Sequence, residues 1–218
     1  MKSIFNEEIS NSFELPSKRA KIISVEGIDG SGKTTVVKNC VEKLSSLGYK
    51  ATPFNTSSDY NMFWDVIKNG LKSNIITSDM NQMIHNITFL TYVKSLLYEK
   101  LESNDFVFTE WYIYGKMVLS ELYTRDENPA SKMLIENELN GGQILLSDYS
   151  FFLNVPPLVA KDRIEKRNFI SESKESLDIL SYAYQIWQIY IEKYDIEVVD
   201  GLMSVDEISN CVLKRILK

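Results

Sequence analysis

The segment from Gly27 to Thr35 has the residue types and the spacing that hold a phosphate. It reads GIDGSGKTT and satisfies the pattern G-x-x-x-x-G-K-[ST], which ends on Gly32, Lys33 and Thr34. Glycines let the backbone turn tightly, so that several N–H groups can face one anion. Lys33 would bring an ammonium to the β- and γ-phosphates of a nucleotide, and the hydroxyl of Thr34 is the expected ligand of Mg²⁺. A glycine turn with a purely structural role is the alternative interpretation.

The elements around this segment fit a phosphate-binding loop. An apolar run rich in β-branched residues, 21–26, precedes the loop, and an amphipathic helix predicted at 33–47 follows it. The other strands are expected at 49–54, 105–110, 149–155 and 196–200, and the other helices at 59–74, 79–103, 156–167, 176–194 and 205–217. Pro53 suggests that the second strand lies at an edge. The alternation of strands and helices predicts βαβ units and a three-layer α/β fold with a parallel sheet.

The composition of the chain narrows the classes of function. Its 218 residues, 44% of them hydrophobic, suffice for one globular domain with a sizeable core. The formal net charge of −6 argues against a general nucleic-acid binder, because such proteins need a basic surface. No apolar run approaches the length of a membrane span. Two distant cysteines, Cys40 and Cys211, and a polar start that fits no signal peptide favour a cytoplasmic location.

The loop by itself does not distinguish a GTPase, an ATPase and a small-molecule kinase. A GTPase is expected to carry an N-K-x-D guanine motif and a D-x-x-G switch, and neither occurs downstream of the loop. A kinase needs in addition an acceptor site that faces the γ-phosphate. His85, the single histidine of the chain, has no Ser, Cys or metal-ligand partner near it in the sequence and is expected to be structural.

Motifs along most of the chain resemble those of the thymidylate kinase family of P-loop nucleoside monophosphate kinases. The sequence EGIDGSGKTT is similar to the first motif of that family, and DFVFTEWY stands where the family has a strand that ends in Asp-Arg-Tyr. The segments LLSDYSFFLNVPPLVAKDRIEKR and IEVVDGLMSVDEI resemble two later family segments. The resemblance implies one kinase domain at 21–218 with the P-loop NTPase fold, which is a five-stranded parallel sheet flanked by helices. It also implies a mobile lid near 167–176 and usually a homodimer, while residues 1–20 would form an N-terminal extension.

The resemblance implies a complete binding site for the phosphoryl donor, ATP. The ATP-binding residues that carry over are Gly27, Gly30, Ser31, Gly32, Lys33, Thr34, Thr35 and Arg163. Family members with glycine at the position of Gly30 usually place a catalytic arginine in the lid. Arg167 is therefore predicted to act with Lys33 in catalysis and Lys174 to be its substitute, since an arginine can contact two phosphate oxygens at once. A solvated charge on a helix is the alternative for Arg163 and Arg167.

The acceptor side departs from the family pattern. Asp29 keeps a carboxylate that contacts the acceptor sugar, and Glu110 replaces an aspartate that can serve Mg²⁺ or the acceptor. Trp111, however, stands where an arginine would clamp the acceptor phosphate, and the two other family arginines of this kind are absent as well. Phe89 matches an aromatic residue that stacks on thymine, with a core phenylalanine as the alternative. The predicted acceptor-binding residues are Asp29, Phe89, Lys94, Glu110, Trp111 and Tyr112, with Lys68 and Lys116 as further cations that could replace the arginines.

Together these residues predict an enzyme that uses ATP and Mg²⁺ to phosphorylate a nucleoside monophosphate, with dTMP to dTDP as the leading reaction. Thr34 and Glu110 are the expected metal ligands. Two alternatives stay open: a kinase whose acceptor has changed to a nucleoside or another small molecule, and a nucleotide-binding homologue that has lost catalysis. The expected partners are ATP, the monophosphate and a second copy of the chain, with neither nucleic acid nor membrane.

Overall fold

The computed structural model of the protein describes residues 19–54, 77–167 and 176–218. The strands in these residues are β1 Lys21–Glu26, β2 Ala51–Phe54, β3 Phe106–Glu110, β4 Tyr149–Asn154 and β5 Glu197–Asp200. The helices are α1 Lys33–Ser46, α2 Ser78–Tyr92, α3 Tyr98–Ser103, α4 Ile113–Thr124, α5 Ala130–Asn140, α6 Pro157–Arg167, α7 Leu177–Lys193 and α8 Val205–Ile216. The predicted helix at 59–74, residues 1–18 of the predicted extension and residues 168–175 of the predicted lid lie outside the described residues.

The five strands form one sheet in the order β2-β3-β1-β4-β5. Every pairing is parallel, which confirms the predicted five-stranded parallel sheet and the P-loop NTPase fold. β2 lies at one edge, where the missing N–H of Pro53 is tolerated. β1 lies in the centre, and its register aligns Val25 with Glu110 at the end of β3. The phosphate-binding loop, which begins where β1 ends, is therefore next to Glu110.

Residues of β1 alternate between the two faces of the sheet. Ile23 and Val25 belong to the hydrophobic cluster that includes residues of α1 and α8. Ile22 belongs to the cluster that includes residues of α2, α4 and α7. Ser24 and Glu26 lie on the same face of the strand as Ile22 and are fully buried. The hydroxyl of Ser24 donates a hydrogen bond to the carboxyl of Glu26. The strand thus brings a buried carboxyl to the layer that contains α4.

The sequence pattern predicts no helix between β3 and β4, but the structure has α4 and α5 in this interval. Eight of the twelve residues of α4 are buried, so the helix lacks the polar face that makes an amphipathic pattern visible. The predicted long helix at 79–103 is present as α2, a π-helical stretch at Val93–Leu97 and α3. Trp187 and Tyr190 of α7 are buried.

A buried ion pair joins α4, α5 and α7. Lys132 and Glu121 are 8% and 7% exposed, and Nζ of the lysine lies 2.5 Å from Oε1 of the glutamate. The hydroxyl of Tyr190 donates to the same carboxylate oxygen at 2.7 Å, and Lys132 also donates to the carbonyl of Glu127 at 2.7 Å. Because both charges are paired and hydrogen-bonded, this network fixes the three helices relative to each other.

Candidate active site

The phosphate-binding loop connects β1 to α1. Gly27, Gly30 and Gly32 have φ angles of 148°, 80° and 95°, in the region that favours glycine. α1 begins at Lys33, Gly32 before it supplies no capping side chain, and the first turn of the helix has no acidic residue. The N–H groups of this turn and the positive end of the helix dipole are therefore available to an anion.

The side chain of Lys33 lies along the loop and is 6% exposed. Its Nζ donates to the carbonyl oxygens of Gly27 and Ile28, at 3.0 and 2.9 Å. Burial lowers the pKa of Lys33, whereas nearby carboxylates, that of Asp29 most strongly, act in the opposite direction. Two of the three N–H groups of the ammonium thus hold it in place, and the third can bind a phosphate oxygen.

Thr34 and Glu110 form a hydrogen-bonded pair between the loop and the end of β3. The hydroxyl of Thr34 donates to Oε2 of Glu110 at 2.8 Å. Hydroxyl and carboxylate oxygens are ligands that Mg²⁺ prefers. Within the part of the chain that the structure describes, no group of three or more His, Cys, Asp and Glu could hold a metal ion. A Mg²⁺ ion at Thr34 and Glu110 would therefore take its other ligands from water and phosphate, as this ion commonly does.

α6 packs directly on the loop at Gly30. A Cβ atom at Gly30 would lie 2.4 Å from the carbonyl oxygen of Ala160 and 3.0 Å from Cγ1 of Ile164. Real Cβ atoms essentially never approach another atom to 2.4 Å, so no side chain can extend from Gly30 unless α6 moves. The structure thus gives a physical reason for glycine at this position.

Arg163 and Arg167 lie four residues apart on α6 and therefore on one face of the helix. Both line the cavity over the loop. Arg163 donates to the carbonyl oxygens of Gly201, at 3.1 Å, and of Ser31, at 3.4 Å, so it lies between the turn after β5 and the loop. The structure thus brings the two predicted donor-side arginines together, while the predicted substitute Lys174 lies outside the described residues.

The three remaining arginines of the chain have partners away from the cavity. The contacts are Arg19 with Asp148, Arg215 with Glu197, and Arg125 stacked on the ring of Tyr182. Arg163 and Arg167 are therefore the arginines available to a phosphorylated ligand in the described parts of the chain, and both come from the donor side.

The cavity over the loop has a volume of about 500 Å³. Its floor is formed by residues 29–35 except Ser31. Its walls are formed by Glu110, Trp111 and the arginine face of α6. This volume is in the range of small-molecule sites. A phosphate group bound on the loop would contact N–H groups, Lys33 and two arginines at once, which is the equipment for neutralising charge on a transferred phosphoryl group.

Trp111 has an unusual backbone conformation at the edge of this cavity. Its φ is 51°, in the left-handed region, which costs a bulky residue on the order of 1–3 kcal/mol. The surroundings hold it there: the indole ring lies 6.3 Å from that of buried Trp187. A Cβ atom on Gly115 would approach Cε3 of Trp111 to 3.0 Å. Trp111 is thus wedged between α4 and α7.

The structure separates the predicted acceptor-binding residues into two groups. Asp29, Glu110 and Trp111 line the cavity. Phe89 and Tyr112 are buried in the core, and the hydroxyl of Tyr112 donates to the carbonyl of Leu145. For Phe89 this burial agrees with the alternative of a core phenylalanine. The contacts of Phe89 and Tyr112 with an acceptor stay predictions, and neither side chain has exposed surface that would support them.

Two predicted replacement cations have partners of their own. Lys94 forms an ion pair with Glu138 of α5. Lys116, on α4, lies 5.0 Å from the centre of the Phe89 ring, and burial lowers its pKa to about 8. Lys68 lies outside the described residues. Neither Lys94 nor Lys116 lines the cavity over the loop.

The sequence did not predict that Glu26, directly before the loop, would be a buried carboxyl. Its carboxyl accepts a hydrogen bond from the N–H of Tyr112 at 3.0 Å, and burial raises its pKa. Its second oxygen, Oε2, has no hydrogen-bond partner and lies against Gly115. The signal available in the sequence was the spacing of Ser24 and Glu26, two polar residues on one face of an otherwise apolar strand.

The fold and the cavity define the class of P-loop phosphotransferases. The sequence profile of the thymidylate kinase family matches residues 25–212, which is most of the chain. The chain belongs to the thymidylate kinase family, whose members are nucleoside monophosphate kinases and thus transferases. Among the described residues, no helix combines the length and the apolar character needed to cross a membrane.

Curated relatives share this assignment at modest sequence identity. The chain is similar to the thymidylate kinase of Leptospira borgpetersenii serovar Hardjo-bovis, with 26% identity over 88% of this chain and 91% of the relative. It is also similar to the probable thymidylate kinase of Methanosarcina barkeri, with 25% identity over 92% of this chain and 97% of the relative. A third relative, the probable thymidylate kinase 2 of Saccharolobus solfataricus, is 25% identical over 74% and 72% of the two chains. The similarity to the first two thus spans nearly the whole length of both proteins.

Proposed function

We propose that the protein transfers the γ-phosphoryl group of ATP to dTMP and releases dTDP and ADP. The observation that carries this proposal is the convergence of five cationic or N–H-bearing features on one cavity. They are the loop amides, the first turn of α1, Lys33, Arg163 and Arg167. Membership of the thymidylate kinase family supports the choice of acceptor.

On the donor side, Lys33 and the loop amides hold the β- and γ-phosphates. Thr34 and Glu110 would hold Mg²⁺, which when bound neutralises charge between the phosphates and fixes their geometry. Arg163 lies at the nucleoside end of the donor, between Ser31 and the turn after β5. Arg167 stands at the end of α6 and stabilises the charge of the group in transfer, with Lys174 as its substitute.

On the acceptor side, Asp29 and Glu110 orient the sugar and the attacking phosphate of the monophosphate. Asp29 is about half exposed, with 46% of its side chain accessible, so it can reach a ligand in the cavity. Because Trp111 replaces a clamping arginine, fewer positive charges face the acceptor phosphate. Each charge-assisted hydrogen bond to a phosphate contributes roughly 1.5–3 kcal/mol, so we expect dTMP to bind weakly compared with ATP.

A coupled assay of ADP release tests the proposal. Purified protein with ATP and Mg²⁺ is incubated separately with dTMP, dUMP, dCMP, dAMP and thymidine, and the product is identified by chromatography. Fastest turnover with dTMP is the expected result. Turnover of thymidine but not of dTMP would move the acceptor to a nucleoside, and ATP binding without transfer to any acceptor would leave a catalytically inactive homologue.

A matched pair of lysine variants tests the role of Lys33. Lys33→Ala is expected to abolish transfer while the far-ultraviolet circular dichroism stays that of the wild type. Lys38, exposed on the same helix, provides the control, and Lys38→Ala should keep wild-type turnover. Normal transfer by Lys33→Ala would contradict the donor site proposed here.

We also propose a cytoplasmic homodimer. Met80 and Ile87, on α2, are about half exposed and lie seven residues apart, on one face of the helix, which suits an apolar contact with a second copy. Light scattering on the purified protein is expected to give twice the mass of the chain. Ile87→Lys should shift that mass towards the monomer. A mass equal to that of a single chain for the wild type would refute the dimer.

A further inference from the structure

The ammonium of Lys33 lies against the face of an aromatic ring. Nζ is 4.6 Å from the centre of the Trp111 ring, within the range of a cation–π contact. Both side chains line the cavity, and Lys33 is almost completely shielded from water. Such contacts strengthen when the cation is desolvated, because water then no longer competes for its charge.

The indole ring is fixed by its surroundings before any ligand binds. It packs against Trp187 and against the backbone of Gly115. The left-handed φ of Trp111 sets the direction in which the side chain leaves the end of β3. A side chain that is anchored in this way can hold a flexible neighbour in one place.

Lys33 has an alternative partner that would remove it from this place. Oδ1 of Asp29 lies 3.9 Å from Nζ, at the outer limit of an ion pair. If the ammonium moved to Asp29, the lysine would be lost to the donor and the carboxylate to the acceptor. The carbonyls of Gly27 and Ile28 and the indole face together keep Lys33 on the loop.

We propose that Trp111 is a positioning residue for Lys33, whose ammonium it holds in the orientation that receives the donor phosphates. The ring supplies a fixed surface of negative potential, and the long lysine side chain is ordered in advance of binding, so less conformational entropy is lost when ATP arrives. The inference rests on the donor role of Lys33 in the proposed function and does not involve the acceptor. Trp111 thereby acts on the donor side, although the residue it replaces in the family pattern belongs to the acceptor side.

A double-mutant cycle on ATP binding tests this role. The dissociation constant of Mg·ATP is measured by calorimetry, without acceptor, for wild type, Trp111→Leu, Lys33→Met and the double variant. Trp111→Leu should weaken binding by about fivefold to thirtyfold in the presence of Lys33, the range of a desolvated cation–π contact. In the Lys33→Met background the same change should alter binding by less than about twofold, since the ring then has no ammonium to position.

Two further variants separate positioning from packing. Trp111→Phe keeps an aromatic face and should restore most of the affinity that Trp111→Leu loses. Trp187→Phe loosens the packing that anchors Trp111 without touching Lys33, so its effect on ATP affinity should be smaller than that of Trp111→Leu and should also shrink in the Lys33→Met background; an effect through packing alone would be equal in both backgrounds. Should Trp111→Leu fail to fold, as judged by circular dichroism, Trp111→Met takes its place in the cycle, since it likewise removes the aromatic face.

The outcomes distinguish this inference from the proposed function. Unchanged ATP affinity in Lys33→Met contradicts the donor site itself. A loss in Lys33→Met together with equal losses from Trp111→Leu in both backgrounds contradicts the positioning role alone, because the ring would then act by contact with ATP or by packing.

Discussion

The close approach of α6 to the phosphate-binding loop makes Gly30→Ala the most informative single substitution. The added methyl group would have to occupy space 2.4 Å from the carbonyl oxygen of Ala160 and 3.0 Å from Ile164. α6 must move outwards to relieve these contacts. Arg163 and Arg167, both on α6, would move with it.

The expected loss of stability has two parts. A residue other than glycine at φ 80° costs about 1–2 kcal/mol, and forcing a methyl group into a packed contact costs about 1–3 kcal/mol more. Together the two costs amount to roughly 2–5 kcal/mol, a large part of the free energy of unfolding of an ordinary domain. Alanine also lowers the entropy of the unfolded chain, which offsets about 0.4–1 kcal/mol.

Gly48→Ala is the matched control. Gly48, after α1, has a φ of 87°, close to that of Gly30, but a Cβ atom there would have no neighbour within 4 Å. The backbone strain and the entropy of the unfolded chain are thus the same in the two variants. The difference between them isolates the contact with α6, which we expect to contribute about 1–3 kcal/mol.

Urea unfolding and steady-state kinetics read out the two consequences. Gly30→Ala should have a lower urea midpoint than Gly48→Ala, and its kcat should fall at least about tenfold, because a displacement near 1 Å in a catalytic group can cost a hundredfold. Gly48→Ala should keep the wild-type kcat. Equal midpoints and equal kcat values in the two variants would refute the close packing of α6 on the loop.

Three further predictions concern charges. Lys116→Met should be more stable than wild type at pH 7 by up to about 3 kcal/mol, since burial lowers the pKa of Lys116 from 10.5 to about 8 and the unfolded chain holds the proton more tightly. This gain should shrink by about 1 kcal/mol between pH 7 and pH 9, and a gain independent of pH in urea unfolding would contradict it. Lys132→Met leaves Glu121 buried without its cation and should cost about 3–5 kcal/mol in the same measurement, where a loss below about 1 kcal/mol would show that the pair is not buried in solution. Glu110→Gln keeps the shape of the side chain but loses its charge, so kcat should require several times more Mg²⁺ for half saturation, and an unchanged requirement would remove Glu110 from the metal site.

The donor half of the site could be predicted from the sequence because its residues are neighbours in the chain. The six-residue loop 27–32 between β1 and α1 has few possible conformations once its glycines are placed, so the positions of Lys33 and Thr34 directly after it already imply where they point. The strands were predictable for a similar reason, since short apolar runs between turns are local features. Arg163 and Arg167 were predicted from the family resemblance, which assigns arginines at these positions to the donor side.

The acceptor half could not be predicted in the same way. A phenylalanine on an apolar helix face fits the core and a stacking site equally well, and only tertiary packing places Phe89 in the core. Lys94 was predicted to face the acceptor, but its partner Glu138 lies on α5, a helix that the sequence pattern did not predict. The packing around the buried carboxyl of Glu26 depends on α4, whose Gly115 lies against Oε2 of the glutamate. Each of these contacts joins residues far apart in the chain.

The packing of α6 on Gly30 links two features that the sequence shows separately, the glycine in the loop and the arginine at the start of the predicted lid. Because α6 occupies the space over Gly30, the loop cannot carry an arginine side chain of its own at this position. The same short distance brings the arginine face of α6 close to the phosphate-binding loop, so that Arg163 and Arg167 line the cavity. If α6 stood far enough away to admit a long side chain at residue 30, its own arginines would be too far from the loop to share a phosphate with Lys33. In this chain the short distance between α6 and the loop therefore excludes an arginine side chain at residue 30 and at the same time gives the arginines of α6 access to the cavity.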